Sequence, residues 1–180
     1  MIRRTRGRGE PAERGQAMVE FALVAPLLFL LLFGIIQFGF LLGGHVGMTN
    51  GAREAARYAT TYQVTDYSTR ATTVRTDLVN NILPRSIFGY RSANLNVANT
   101  TVAYCAYANG DNTTPNPSYS IRVLVTVRYG HPIILPFIGE IVDLIDGVKD
   151  NALTATVSEG MRMETLRITP PFPTGVAACI

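Results

Sequence analysis

The stretch RGQAMVEFALVAPLLFLLLFGIIQFGFLLGG, residues 14–44, decides how the rest of the chain is read. One glutamate, Glu20, stands at its head, and from Phe21 to Ala52 there is no Asp, Glu, Lys or Arg. Between Phe21 and Leu42 only Gln37 and two glycines interrupt the apolar side chains. At a helical rise of about 1.5 Å per residue, such a run reaches roughly 30 Å, the thickness of a bilayer hydrocarbon core. It is longer than the apolar core of an ordinary secretory signal, about 7 to 15 residues, and no small-x-small cleavage site followed by polar sequence closes it. A membrane-spanning helix over about residues 21–44 is therefore expected.

On the N-terminal side lies MIRRTRGRGEPAERG, in which five arginines face Glu10 and Glu13. Rich in Arg, Gly and Pro, residues 1–15 cannot bury a core and are expected to be a disordered leader. An arginine excess beside an apolar helix is retained in the cytoplasm, so residues beyond about 45 are expected to be extracytoplasmic. This leader accounts for the whole formal charge of +3, leaving residues 16–180 near neutral. Despite a pI near 9.1, no basic stripe remains to bind nucleic acid.

The helix is expected to begin near Gln16 and to continue as far as Tyr62, because MTNGAREAARYATTY (Met48–Tyr62) is alanine-rich and free of proline. Gly39, Gly43, Gly47 and Gly51 recur every four residues and are continued by Ala55 and Ala59. Such a row admits a second helix backbone at close range, or it softens the helix at the membrane boundary. Pro26 takes the hydrogen-bond donor from the Ala22 carbonyl, a feature that membrane helices tolerate.

Residues 63–168 are long enough for one small domain. Val74, Leu78, Val79 and Ile82 have helical spacing, with Pro84 expected to end the run. The period then changes to two: in SYSIRVLVTVRY (Ser118–Tyr129), Ile121, Val123, Val125 and Val127 alternate with Arg122, Thr126 and Arg128. That is a half-buried strand. Leu95–Tyr107 is strand-like with a phase change, which calls for a bulge or two short strands, and NGDNTTPNP (Asn109–Pro117) reads as a hairpin loop. A third strand is expected over Leu153–Met163, with Glu159 interrupting its apolar face and Gly160 marking a bulge. A short helical pattern runs through Ile138, Ile141, Val142 and Ile145. Residues 169–180 form a proline-rich tail whose evident anchor is Cys179. The expected fold class is α+β: a long N-terminal helix, then a small domain with a helix and about three antiparallel strands.

Chemistry-bearing residues are few. His45 and His131 are the two histidines, and neither lies in a metal or catalytic motif. Asp143, Asp146 and Asp150 share a helical face that reads as solvated rather than metal-binding. Asn99 and Asn112 begin glycosylation-type triplets, which matter only in a eukaryotic secretory pathway. Cys105 and Cys179 are the two cysteines and lie on the expected outer side. A bridge between them and two free thiols both remain open, while a CxxC site is excluded. No enzymatic constellation, metal or cofactor is expected. A Glu20 at the head of a span is favoured by the helix dipole, or serves a protein contact.

Gly15 precedes Gln16, Glu20 is fifth when Gln16 is counted first, and Phe21 leads the apolar run. This arrangement resembles the processing region of type IV pilin-like precursors. The wording RGQAMVEFALVAPLLFLLLFGIIQFGFLL, continued by TNGAREAARYAT (Thr49–Thr60), is similar to the TadE-like family, minor pilins or pseudopilins of the tight-adherence (Flp) pilus. The resemblance implies a pilin-like fold and cleavage by a membrane aspartic prepilin peptidase between Gly15 and Gln16. It further implies that the freed amine of one subunit neutralises Glu20 of a neighbour, with Phe21 beside it, as helices stagger. Gly39, Gly43, Gly47 and Gly51 would then serve helix packing. The leading expectation is a non-enzymatic, single-pass inner-membrane protein with a cytoplasmic N-terminus. Its implied partners are other pilin-like subunits, Tad assembly proteins, the peptidase and the membrane. A permanently anchored binding module and a surface-anchored hydrolase are the alternatives.

Overall fold

The computed structural model describes residues 11–61, 66–108, 118–135, 139, 144, 147, 152–163, 168 and 170–178. The chain divides into two units, Met1–Gly39 and Phe40–Ile180.

Helix α1 (Pro11–Thr60) starts five residues before the expected Gln16, so the end of the arginine-rich leader is helical. Proline suits a first helical turn, where its missing N–H is not needed and its fixed φ is already helical. Pro26 lies inside the helix. From Phe21 to the end of the first unit, α1 is apolar apart from Gln37 and two glycines, and its large side chains, Leu23, Leu27, Leu30 and Ile35 among them, are exposed. Its most apolar eighteen-residue window has a mean hydropathy of 2.6 and is 6% buried, so the helix is long and apolar enough to cross a membrane.

The second unit is α+β, as expected. The α1 residues Met48, Ala52, Ala55, Ala56 and Ala59 form a buried stripe at helical spacing. Small side chains there bring the helix close to the elements that cover it. These include sheet residues, Tyr104 at Ala59 and His131 at Met48, and a second helical segment, α2 (Tyr67–Asp77) and α3 (Leu83–Ser86) joined by a π turn over Leu78–Ile82, whose Leu83 lies against Gly51. Pro84 therefore sits inside the second helical segment rather than ending it. The Leu83 N–H reaches back five residues to the Leu78 carbonyl. That wider turn relieves the crowding a proline ring imposes on the carbonyl four residues earlier.

A four-stranded sheet completes the unit, in the order β3-β2-β1-β4. Strands β1 (Thr101–Ala108), β2 (Tyr119–Pro132) and β3 (Ala152–Arg162) are the three antiparallel strands that the alternation indicated. Ile121, Val123, Val125, Val127 and Tyr129 of β2 are buried together with Val102 and Tyr104 of β1. Arg122 and Arg128 occupy the opposite, exposed face. The phase change before β1 marks two separate pieces: an isolated bridge between Leu95 and Tyr129, then β1 itself. At Gly160 the expected bulge is absent, since Gly160 pairs with Leu124 in an uninterrupted ladder. Glu159 lies on the inward face opposite Val125 and joins Arg53 of α1 across 3.1 Å.

The fourth strand, β4 (Val176–Ala178), was not expected, and it pairs with β1 in parallel. Among the described residues the tail is anchored twice more: the Tyr67 N–H donates to the Thr174 carbonyl at 3.2 Å, and Phe172 packs edge-on against Tyr119 at 5.1 Å. Gly175, at φ +84°, passes so close to the Ser68 backbone that a Cβ would collide with it. The Asn109–Pro117 loop, most of the helical pattern over residues 138–145 and the three aspartates 143, 146 and 150 lie outside the described residues, as do Asn112, Tyr62 and Cys179.

Candidate functional site

Gly15, Gln16, Glu20 and Phe21 all lie on α1, and all are exposed. Four residues is just over one helical turn, so Gln16 and Glu20 share a face. The Gln16 Nε2 donates to Glu20 Oε1 at 3.2 Å. A Cβ on Gly15 would meet nothing within 4 Å. The Gly15–Gln16 peptide is therefore part of a helix whose surroundings in this unit are open. Phe21, 65% exposed, follows Glu20 directly and begins the uncovered apolar surface. The local arrangement is a carboxylate at the head of an apolar helix, one turn from the residue that would become terminal if the chain were cut after Gly15.

The glycine row divides in two. A Cβ on Gly39 or Gly43 meets nothing within 4 Å. At Gly47 it would collide with the Ser86 carbonyl oxygen, and at Gly51 it would press on the Leu83 Cδ2 at 3.2 Å. The helix that uses the close approach at Gly47 and Gly51 is the chain's own α3. Gly44, outside the four-residue series, does similar work, since a Cβ there would overlap the His131 ring. His131 also meets the Met48 sulfur through Nε2 at 3.2 Å. Burial, reinforced by the nearby His45, holds the His131 imidazole below its ordinary pKa and favours its neutral form.

The C-terminal end of α1 is closed by residues no local signal could identify. Tyr104 Oη donates to the Ala59 carbonyl at 3.2 Å, and Arg70 Nη2 to the Tyr58 carbonyl at 2.8 Å, with its guanidinium 4.4 Å from the Tyr58 ring centroid. A cation at a helix C-terminus meets both the unpaired carbonyls and the negative end of the dipole. Burial raises the Tyr67, Tyr90 and Tyr104 hydroxyls above their usual pKa, which favours their neutral form.

Cys105, on β1, is disulfide-bonded. Among the described residues no group of three His, Cys, Asp or Glu could hold a metal. Two open grooves mark the second unit. One is lined by Asn94, Leu95, Asn96, Arg128 and Thr154, the other by Thr72, Thr76, Asp77 and Asn81. In the second groove the Thr72 and Thr76 hydroxyls donate to the Ser68 and Thr72 carbonyls, and Asn81 Nδ2 donates to Asp77 Oδ1.

The class these features define is an α+β protein with a long apolar N-terminal helix, uncovered in one unit and core-forming in the other. Residues 15–57 match the family described as TadE-like protein, so the N-terminal segment is TadE-like, as its wording indicates. The match starts at Gly15 and ends at Arg57, in the last turn of α1. That family is associated with the Tad pilus. No curated protein and no solved structure is significantly similar to the chain.

Proposed function

We propose that this protein is a non-enzymatic minor pilin or pseudopilin of a Tad (Flp) pilus or secretion assembly. It is anchored in the inner membrane through residues 21–44, with the basic leader in the cytoplasm and the α+β domain outside. The observation that carries this reading is the coincidence of the TadE-like match with an uncovered apolar helix headed by Glu20. An uncovered helix of this composition needs lipid or other apolar helices around it. A carboxylate at its head costs least where a cation can reach it, and an amine freed between Gly15 and Gln16 supplies that cation in a staggered neighbour. The open surface at Gly39 and Gly43 suits contact with partner helices. Within the domain, we assign Cys179 as the disulfide partner of Cys105.

The test is the N-terminal residue of membrane-extracted protein, determined by mass spectrometry in hosts with and without the prepilin peptidase. A start at Gln16 or its cyclised form, dependent on the peptidase, is expected. Glu20→Ala should leave insertion intact and reduce incorporation into the assembly. An intact leader in both hosts, together with normal piliation by Glu20→Ala, would instead indicate a permanent membrane anchor.

A further inference from the structure

Phe88 is 69% exposed, one of the three most exposed large apolar side chains described in the domain, with Leu144 and Ile134. It stands at the tip of the turn after α3, where Gly89 at φ +68° reverses the chain. The turn is held firmly. Ile87 beside it is buried, its N–H donates to the Leu83 carbonyl at 3.0 Å, and the Tyr90 N–H returns to the Ile87 carbonyl at 3.3 Å. Phe88 is therefore presented by an ordered turn.

What it touches gives its level along α1. The Phe88 ring stacks on Phe40, with centroids 5.5 Å apart and planes inclined by 21°. Phe40 is the last aromatic residue of the charge-free apolar run and is itself 39% exposed. From Gly47, where the Ser86 backbone lies against the helix, α1 descends about 10 Å to Phe40. The turn thus reaches down the helix to the end of the run. A second element arrives at nearly the same level: His131 packs on Gly44, and three residues later Ile134 is 63% exposed. Arg85 and Arg91, both exposed, flank Phe88 at three residues on either side. No acidic residue occurs between Asp77 and Asp111. An aromatic tip continuous with a membrane run, bracketed by arginines, matches the apolar and anionic layers of a lipid interface.

We propose that the Ile87–Arg91 turn is a second membrane contact. Phe88, with Phe40, enters the interfacial layer where α1 leaves the bilayer, and Arg85 and Arg91 meet lipid phosphates. The turn would set how the domain stands on the membrane. This inference rests on the membrane-spanning reading of α1.

The chain contains no tryptophan, so single substitutions create unique reporters. The full-length variants Phe33→Trp, Phe88→Trp and Tyr107→Trp are placed at low density in phosphatidylcholine–phosphatidylglycerol vesicles, with acyl chains brominated near the headgroup, brominated near the chain end, or unmodified. Phe33 lies within the run, and Tyr107 is three residues beyond Tyr104, whose hydroxyl reaches Ala59, about 28 Å along α1 from Phe40. Phe33→Trp should lose most of its emission in brominated lipid, and Tyr107→Trp none. Phe88→Trp should be quenched at least half as strongly as Phe33→Trp, and more by bromine near the headgroup. If Phe33→Trp is quenched while Phe88→Trp behaves like Tyr107→Trp, the turn contact is wrong and the span stands. A blue-shifted but unquenched Phe88→Trp would mean that protein covers the turn, which also overturns the proposal. An unquenched Phe33→Trp would overturn the span and the turn contact together.

Discussion

Asp66 gathers four hydrogen bonds onto one carboxylate, from the Ser68 and Thr69 N–H groups at 2.9 and 3.4 Å and their hydroxyls at 2.8 and 2.6 Å. It is the N-cap of α2. The Thr69 hydroxyl first, and then Ser68, hold its pKa at about 2 against an ordinary 3.8. A lowered carboxylate pKa contributes stability that is present above the unfolded value and is lost as pH falls through the folded one. Asp66→Ala should therefore lower Tm at neutral pH, with the difference closing as pH drops from about 4 toward 2. Asp66→Asn, which still caps, should keep most of the stability and flatten the acid dependence, both readable by thermal melts. At Gly47 a methyl group would strike the Ser86 backbone, so Gly47→Ala should cost about 1–3 kcal/mol in denaturant unfolding of detergent-solubilised protein. Gly43→Ala, with open space around the new methyl, should be neutral or stabilising by up to about 1 kcal/mol. Sequence spacing marks both glycines alike. Only Gly47 faces α3, and a four-residue repeat carries no information about which neighbour arrives.

Elements formed by long periodic patterns were legible, and short ones were not. β2 alternates through more than ten residues, so one face had to be buried. β4 has three residues, VAA, with no alternation to read. It exists because β1 leaves an edge free beside it, and Phe172 and Thr174 hold the tail there. A chain ending at Thr169 should consequently exchange amide hydrogens faster at Tyr67 and across Tyr104–Ala106, while the β2–β3 ladder stays protected in hydrogen-exchange mass spectrometry. Pro84 shows a related limit. A proline ordinarily ends a helix, but the widened turn at Leu78–Ile82 lets the buried Leu78, Ile82 and Leu83 continue along one packed face. The apolar contacts outweigh the local preference.

At the scale of the whole molecule, Cys105 is held in a disulfide. If Cys179 is its partner, about 75 residues lie between the two sulfurs, and a loop of that length stabilises by on the order of 4 kcal/mol. Non-reducing peptide mapping should recover the two cysteine peptides linked, and reduction should lower Tm by several degrees. Recovery of the Cys105 peptide linked elsewhere, or as a free thiol, would contradict the pairing.

By itself the sequence determined the apolar helix, the glutamate at its head, the following amphipathic helix and the three antiparallel strands. Each is a matter of local composition or period, and the solvent that a run of side chains requires follows from those side chains alone. Only the tertiary structure decided that α3 covers Gly47 and Gly51, that Tyr104 and Arg70 close the end of α1, that β4 joins the sheet and that Phe88 meets Phe40. These pairings join residues far apart in the chain, and what selects them is the collective packing of one core, which no local stretch encodes.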